Sequence, residues 1–309
     1  MKIPVILGPT SAGKTSLSLE LCQKLKGEII SADSRQIYRH MDVGTGKMPL
    51  NQEKVLKKHE GFWEINNVKI WGYDIVDPGE YFSAHDFALF GLNKAKEILA
   101  MKNNPFLVGG TGLYIDFFTG KIKGNSTPPN FIYRKELENK PLEELQKILT
   151  SLNLEANDSD IHNKRRLVRI IERNTYSEKK PPSPLPYLSD INFIFIGLTA
   201  PREFLYSRAD LWVESIWQNE RILEEIQNLI ALGFKESPQL NGFIYKVALD
   251  FNKGLVSKEE AIQKTKFDMH SYIRRQQTYF KRNSEIKWFD ISQDNCEQNI
   301  YNYLKDVGF

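Results

Sequence analysis

The feature that most constrains this chain is the segment GPTSAGKT at residues 8–15. A short apolar run at residues 3–7 precedes it and is typical of a buried parallel strand. After it, leucines recur at every fourth position and predict one face of a helix, at Leu17, Leu21 and Leu25. The order strand, glycine loop, helix is the context in which the pattern G-x-x-x-x-G-K-[ST] binds phosphate groups.

Further apolar runs predict more strands of the same sheet. Residues 28–32, 106–108 and 191–198 are each predicted to form a strand, and a helical pattern spans 86–101. Two long helical stretches follow, at about 202–232 and at 257–282, and the second begins with the capping box Ser257-Lys258-Glu259-Glu260. Strands that alternate with helices in this way predict an α/β fold with a parallel sheet.

The segment between two of these strands has a different sequence pattern. Residues 121–186 carry helical patterns and no convincing strand, and they end in a proline-rich connector at 181–186. We therefore predict a P-loop NTPase-like parallel sheet flanked by helices, formed by residues 1–120 and 187–309. The segment 121–186 is predicted to be an inserted, all-helical subdomain.

Composition sets broader limits. The 309 residues are 41% hydrophobic and 26% charged, with a net charge of +3, which is too small to argue for nucleic acid by itself. No apolar run approaches the roughly 20 residues of a membrane span. Cys22 and Cys296 provide neither a disulfide framework nor a metal cluster. These features predict a cytoplasmic protein without a membrane partner.

The glycine loop contains the groups that phosphate binding needs. Its successive backbone N–H groups and the following helix N-terminus form a site for anions. Gly8 and Gly13 permit the close approach of a phosphate, and Lys14 adds a positive charge. The Thr15 hydroxyl can hold Mg²⁺. The loop alone favours a nucleotide such as ATP, but it does not identify the molecule that carries the phosphate groups.

Two further residues belong at the same edge of the predicted sheet. Asp33 follows the strand at 28–32, and Thr111 follows the strand at 106–108. In doubly wound sheets the ligand crevice lies outside the carboxyl ends of the strands. A carboxylate there can act as a general base or bind Mg²⁺ through water. The alternatives are an N-cap role for Asp33 and a plain tight turn around Thr111.

Five motifs in this order resemble the tRNA dimethylallyltransferases, also called tRNA isopentenyltransferases. They are GPTSAGKT (8–15), DSRQIY (33–38), GTGKMP (44–49), DIVDP (74–78) and VGGTGLY (108–114). Two later segments extend the resemblance over nearly the whole chain: NKRRLVRIIE (163–172) and RRQQTYF (274–280). The combination is much more specific than any one motif.

The resemblance implies transfer of a dimethylallyl group from dimethylallyl diphosphate to a tRNA. The acceptor would be N6 of the adenosine on the 3′ side of the anticodon, in tRNAs that read codons starting with U. The implied partners are the tRNA anticodon stem-loop and dimethylallyl diphosphate, the implied cofactor is Mg²⁺, and the implied state is a monomer.

Matching motif positions imply roles for individual residues. The implied catalytic residues are Asp33, Lys14 and Thr111, with Asp33 as the base. The implied diphosphate-binding residues are Gly8, Pro9, Thr10, Ser11, Ala12, Gly13, Lys14, Thr15 and Arg208, with Thr15 also at the metal. The implied tRNA-binding residues are Asp33, Ser34, Arg35, Gln36, Thr111, Arg165, Arg166, Arg169, Arg274 and Arg275.

The chain departs from the family pattern at one position that matters for chemistry. In the segment LYSRADLW (205–212) Arg208 matches the first arginine of the family, but Trp212 stands where a second is expected. Tryptophan has neither the charge nor the donors of arginine. Three hypotheses remain open: a tRNA prenyltransferase, a P-loop kinase of a small metabolite, or a tRNA-binding paralogue with impaired catalysis.

Overall fold

The structure, a computed structural model, describes residues 1–48, 56–122, 129–175 and 191–309. Two compact units divide the chain: Met1–Ile122 together with Leu185–Phe309, and Lys123–Pro184. The proline-rich connector predicted at 181–186 and Pro49 of the GTGKMP motif lie outside the described residues.

The first unit contains all the strands of the described residues. They are β1 (Lys2–Leu7), β2 (Gly27–Ser31), β3 (Leu56–His59), β4 (Phe62–Ile65), β5 (Val68–Trp71), β6 (Asn104–Gly109), β7 (Asn192–Thr199) and β8 (Lys287–Asp290). The α-helices, in chain order, are α1 (Lys14–Leu25), α2 (Ala84–Ala100), α3 (Gly112–Phe118), α4 (Phe131–Glu138), α5 (Leu142–Ser151), α6 (Asp158–Ile161), α7 (Lys164–Thr175), α8 (Arg202–Gln218), α9 (Arg221–Ala231), α10 (Phe243–Asn252), α11 (Lys258–Phe280) and α12 (Cys296–Asp306).

The eight strands form one sheet in the order β3-β4-β5-β2-β6-β1-β7-β8. Every pair from β5 to β8 is parallel, and only the β3–β4 and β4–β5 pairs are antiparallel. Helices α1 and α2 both pack on β2 and β6. The strands run as continuous apolar stretches because helices cover them. This sheet, with the glycine loop after β1, confirms the predicted P-loop NTPase-like α/β fold.

The antiparallel hairpin β4–β5 was not predicted from the sequence. Its connection is the pair Asn66-Asn67, and both residues have left-handed backbone angles, with φ of 52° and 62°. A two-residue turn with two positive φ values matches the twist of the flanking strands, and asparagine tolerates that conformation better than most residues. The hairpin extends the parallel sheet beyond β2.

The helical stretch predicted at about 202–232 is confirmed, but it consists of two helices. Helix α8 ends at Gln218 and α9 begins at Arg221, and Glu220 between them is left-handed with φ of 55°. No proline or glycine marks this break, so the helical periodicity conceals it. The helix predicted from Ser257 is confirmed as α11, with the Ser257–Glu260 capping box formed.

Helices α4–α7 form the second unit as the structure describes it. Their apolar core consists of Leu137, Leu145, Leu149, Leu167, Val168 and Ile171. Glu172 is buried beside this core, where it accepts hydrogen bonds from Arg134 at 2.8 Å and from Arg169 at 2.9 Å. These two guanidinium groups outweigh the effect of burial and lower the pKa of Glu172.

Among the helices of the described ranges, none combines the length and the apolar character that crossing a bilayer requires.

Candidate active site

A cavity of about 710 Å³ opens where β1, β2 and β6 end. The phosphate loop, the Asp33 segment and the Gly109-Gly110 pair line it from the sheet side. The loop at 44–48 and helices α8, α10 and α11 complete the wall. These strands are parallel, so their carboxyl ends meet at one edge of the sheet, as the sequence predicted for the ligand crevice.

The phosphate loop has the backbone conformation of an anion site. Ser11 and Gly13 are left-handed, with φ of 63° and 72°, so the chain turns its N–H groups toward one side. Five of the eight loop residues predicted to bind diphosphate line the cavity: Thr10, Ser11, Gly13, Lys14 and Thr15. The other three from this loop do not line it: Gly8, Pro9 and Ala12. A β-carbon at Gly8 would lie only 2.4 Å from the Leu198 carbonyl oxygen, so this glycine lets the loop approach β7.

Lys14 is folded over its own loop. Its ammonium group donates a 2.7 Å hydrogen bond to the Pro9 carbonyl. Burial lowers the pKa of Lys14 to about 8, although the negative charge of Asp33 acts in the opposite direction. A lysine with such a pKa is still largely charged at neutral pH. Its charge is therefore available to an anion in the cavity.

Asp33 faces the same cavity directly after β2. Its Oδ1 atom accepts a 2.9 Å hydrogen bond from the backbone N–H of Arg35. Burial raises the pKa of Asp33, while the Arg35 N–H and the charge of Lys14 counteract the rise. Residues 34–37 form turns rather than an α-helix, so Asp33 caps a turn and is not a helix N-cap. One carboxylate oxygen stabilises the turn while the group lines the cavity.

Thr111 connects the two rim segments without itself lining the cavity. Its Oγ1 atom accepts a 3.0 Å hydrogen bond from the Ser34 N–H. Ser34, Arg35 and Gln36 all line the cavity. The Arg35 guanidinium donates a 2.7 Å hydrogen bond to the Gln239 carbonyl, which fixes its direction.

The loop at 44–48 reaches the cavity, but its lysine is already neutralised. The buried Lys47 ammonium pairs with Asp74 at 2.6 Å and with Asp42 at 3.0 Å. Residues 44–48 of the GTGKMP motif line the cavity, whereas Asp74 of the DIVDP motif supports the loop from behind. The charge of Lys47 is used within the protein and is not free for a ligand.

Helix α8 presents both the retained arginine and its unusual neighbour to the cavity. Arg208 lies beside the phosphate loop, since a β-carbon at Gly13 would be 3.6 Å from its Nη2 atom. Trp212, one turn further along α8, also lines the cavity, with its Cζ2 atom 3.9 Å from the place of a β-carbon at Gly46. The position where the family pattern has a second arginine is thus an aromatic part of the wall.

The remaining predicted arginines are not part of this cavity lining. Arg274 and Arg275 line a separate groove of about 450 Å³ on α11, together with Arg282. In the second unit Arg165, Arg166 and Arg169 line an open groove along α7. There Arg165 and Arg166 are exposed, and Arg166 pairs with Asp160 at 3.0 Å.

Sequence reasoning assigned no role to two residues that hold the site together, although Gln276 belongs to the RRQQTYF segment. Gln276 of α11 lines the cavity with only 5% of its surface exposed, and Glu225 of α9 is 8% exposed behind the loop at 42–44. Both are ordinary helix residues by type, and their partners are distant in sequence. A polar residue at a position where the helical period predicts burial was the available signal.

Metal binding would depend on oxygen donors of the cavity. Within residues 1–48, 56–122, 129–175 and 191–309, no three acidic, histidine or cysteine side chains converge on a metal position. The Thr15 hydroxyl and the Asp33 carboxylate line the same cavity. This donor set fits Mg²⁺, which usually takes one or two protein oxygens and completes its shell with substrate phosphate and water.

Comparisons with known proteins agree with the motifs. A family model described as "IPP transferase" matches residues 36–283, and one described as "Isopentenyl transferase" matches residues 1–68. Proteins named tRNA dimethylallyltransferase from Bacillus anthracis and from Bacillus cereus (strain 03BB102) are each 34% identical over 98% of this chain. The alignments cover 95% and 94% of those relatives.

Solved structures give the same result. The full-length tRNA isopentenylpyrophosphate transferase from Bacillus halodurans has a TM-score of 0.69 and 30% identity, covering 99% of this chain and 96% of that one. The corresponding Staphylococcus epidermidis structure has a TM-score of 0.68 and 27% identity, covering 99% of each chain. A eukaryotic dimethylallyltransferase acting on tRNA, at 22% identity and a TM-score of 0.74, shares the fold and covers 99% of this chain and 79% of that one. The chain therefore belongs to the tRNA dimethylallyltransferase family.

Proposed function

We propose that this protein transfers the dimethylallyl group of dimethylallyl diphosphate to tRNA. The acceptor is N6 of the adenosine on the 3′ side of the anticodon, in tRNAs that read codons starting with U. One observation carries the proposal: a partly buried carboxylate, Asp33, and the phosphate loop line the same cavity. Both reactants of a prenyl transfer can therefore meet there, and the names of the relatives support this substrate pair.

Asp33 acts as the general base. The exocyclic amine of adenine is a weak nucleophile because its lone pair is delocalised into the ring, so loss of its proton assists attack on the allylic carbon. The raised pKa of the Asp33 carboxylate makes it a better proton acceptor than an exposed aspartate. The Arg35 N–H holds the carboxylate in place, and Thr111 positions the same segment through the Ser34 N–H.

The phosphate loop stabilises the leaving group. As the carbon–oxygen bond breaks, negative charge grows on the diphosphate, and donors fixed in advance lower the energy of that state. Those donors are the backbone N–H groups of the loop, Lys14 and Arg208. Thr15 would hold Mg²⁺, which supplies additional positive charge to the diphosphate when bound.

The RNA is bound by cationic side chains that are not part of the cavity lining. Arg274 and Arg275 on α11 and the exposed Arg165 and Arg166 on α7 are suited to phosphates of the anticodon stem-loop. The acceptor base must leave its stack to reach a cavity, as for other enzymes that modify a base. Aromatic side chains in the cavity wall can receive a flat ring: Trp212, Phe243, Tyr245 and Tyr272. We further propose that the protein works as a cytoplasmic monomer.

One experiment tests this proposal against its alternatives. Incubation of the protein with unmodified tRNA, dimethylallyl diphosphate and Mg²⁺, followed by nucleoside mass spectrometry, should yield isopentenyladenosine. Intact tRNA binding without this product would support the non-catalytic paralogue that Trp212 suggests. ATP turnover stimulated by a small metabolite, without tRNA modification, would instead support a P-loop kinase.

A further inference from the structure

The Gln276 side chain joins the phosphate loop to the neighbouring rim loop. Its Oε1 atom accepts a 2.8 Å hydrogen bond from the backbone N–H of Thr10, and its Nε2 atom donates a 3.0 Å hydrogen bond to the Gly110 carbonyl. Only 5% of the residue is exposed. A single amide thus satisfies one donor and one acceptor on loops that follow two different strands, β1 and β6.

Gln276 is the centre of a polar stripe along α11. Four residues before it, Tyr272 is hydrogen-bonded to Thr111. Three residues after it, the Tyr279 hydroxyl donates to Asp116. Positions separated by four and three residues share one helix face. This face of α11 therefore lies along the β6–α3 loop and α3. Of these three side chains, only the Gln276 amide also reaches the phosphate loop.

The bond to Thr10 determines which loop N–H groups can serve an anion. The Thr10 N–H is directed to Gln276, so it is not available to a phosphate while that bond exists. The left-handed residues Ser11 and Gly13 turn the chain just after it. The anion site then consists of N–H groups that follow Thr10, together with Lys14 and Thr15. The Ala12 N–H is the exception, because it donates a long 3.4 Å hydrogen bond to the Pro9 carbonyl.

We infer that Gln276 is a positioning residue for diphosphate binding: its amide fixes the Thr10 peptide and locks the phosphate loop to the Gly110 loop. This inference rests on the proposed function. To hold both loops, the side-chain terminal group at position 276 must accept from the Thr10 N–H and donate to the Gly110 carbonyl. Glutamine provides both, and so does a protonated glutamic acid, whereas an ionised glutamate provides no donor.

This requirement gives a test with a pH signature. In Gln276→Glu, a protonated carboxyl group can accept from Thr10 and donate to Gly110, so the loop should keep its shape. Burial favours the protonated form, which places its titration above the usual range for glutamate. After ionisation the group faces the Gly110 carbonyl without a proton, and its charge opposes a bound anion.

The probe is inorganic pyrophosphate with Mg²⁺, titrated calorimetrically from pH 5 to pH 8 with the full chain. Near pH 5 the Gln276→Glu variant should bind within about threefold of wild type. Near pH 8 it should bind about ten- to a hundredfold more weakly than wild type. The ratio of the two affinities at each pH removes the contribution of groups that titrate in both proteins.

The chain offers a matched control in the next residue. Gln277 is partly exposed, and Arg202 donates a long 3.4 Å hydrogen bond to it. Gln277→Glu adds the same charge to the same helix and should leave pyrophosphate affinity within about twofold of wild type at every pH. Gln276→Met fills the site without a hydrogen-bond donor or acceptor, so its pyrophosphate affinity should be about tenfold lower than that of wild type at every pH. This uncharged variant separates the loss of the two hydrogen bonds from the effect of an added charge.

The outcomes separate the inference from the proposed function. A Gln276→Glu to wild-type ratio that does not change with pH, or an equal loss in Gln277→Glu, would overturn the inference alone. Wild-type affinity in Gln276→Met would do the same. If the wild-type protein bound no pyrophosphate, the proposed function and this inference would both fail.

Discussion

The Tyr245 hydroxyl donates a 2.7 Å hydrogen bond to the Glu225 carboxylate, which also binds the main chain of an adjacent loop. Three consecutive backbone N–H groups at residues 42–44 donate to this carboxylate over 2.6–3.0 Å. Burial raises the pKa of Glu225, and these donors oppose the rise. Because the same loop continues into residues 44–48 of the cavity wall, α9 and α10 together hold that wall in position.

Glu225→Gln should destabilise the protein. The amide turns one acceptor oxygen into an NH₂ group that faces backbone donors, which leaves buried N–H groups without an acceptor. We expect the free energy of unfolding to fall by about 2–3 kcal/mol. Denaturant unfolding monitored by circular dichroism measures the change. Glu224→Gln, on the exposed side of the same helix, should change stability by less than about 0.5 kcal/mol; a similar loss in both variants would contradict the assigned role.

Asp33→Asn should separate catalysis from folding of the turn. Asparagine keeps an oxygen that can accept from the Arg35 N–H, but its amide cannot take the proton of the acceptor amine. Prenyl transfer should fall by about 10²–10⁴-fold, with tRNA affinity nearly unchanged. Single-turnover transfer and filter binding of tRNA provide the two measurements. Parallel loss of transfer and of tRNA affinity would identify Asp33 as a purely structural residue.

The pH dependence of kcat/KM for dimethylallyl diphosphate should be bell-shaped. The rising limb reports ionisation of Asp33, whose raised pKa shifts this limb above the usual range of an aspartate. The falling limb reports loss of the Lys14 charge, because the pKa of this lysine is about 8 in the free protein. As the pH rises through 8, the neutral amine binds the anionic substrate less well. In Lys14→Arg the falling limb should move above the accessible range, since arginine stays charged; an unmoved limb would exclude Lys14 as its source.

The sequence predicted the parts of the fold that depend on local pattern. Strands β1, β6 and β7 are continuous apolar runs because helices cover the sheet. The break between helices α8 and α9 at Glu220 could not be predicted from a local pattern. The apolar periodicity continues across it, and no glycine or proline marks it. After the break, α9 packs behind the loop at 42–44, where Glu225 accepts the backbone N–H groups of that loop.

In the candidate site, too, some residues could be predicted from local sequence and others could not. Lys14 and Asp33 could be identified because glycine spacing and strand ends define their positions in the chain. Glu225 and Gln276 bind main-chain groups more than 160 residues away in sequence. The RRQQTYF segment contains Gln276, but neither it nor the sequence around Glu225 indicates which distant groups these side chains contact. Sequence reasoning therefore found the groups proposed to act on the substrates but missed those that hold the loops.

Two arginines of α7 should respond differently to removal. Arg166 is exposed and pairs only with groups at the surface among the described residues, whereas Arg169 donates to the buried Glu172. Arg166→Ala should weaken tRNA binding and reduce the magnitude of its salt slope by about 1. Arg169→Ala should instead lower the free energy of unfolding by about 1–3 kcal/mol. Salt-dependent tRNA binding and denaturant unfolding of both variants measure the two effects. An unchanged salt slope in Arg166→Ala would mean that Arg166 does not contact tRNA phosphates and is only a solvent-exposed side chain.

Trp212→Arg should strengthen diphosphate binding. The tryptophan lines the cavity one turn after Arg208, which is itself beside Gly13 of the phosphate loop. A guanidinium on this wall adds charge-assisted donors, each worth about 1.5–3 kcal/mol, so affinity for pyrophosphate should rise by about tenfold or more. Calorimetric titration of Trp212→Arg and of Trp212→Phe separates the new charge from a change in cavity shape, because phenylalanine removes the indole without adding a donor. A gain in both variants would mean that the indole obstructs the anion, and no gain in either would mean that this wall faces the acceptor base and not the diphosphate.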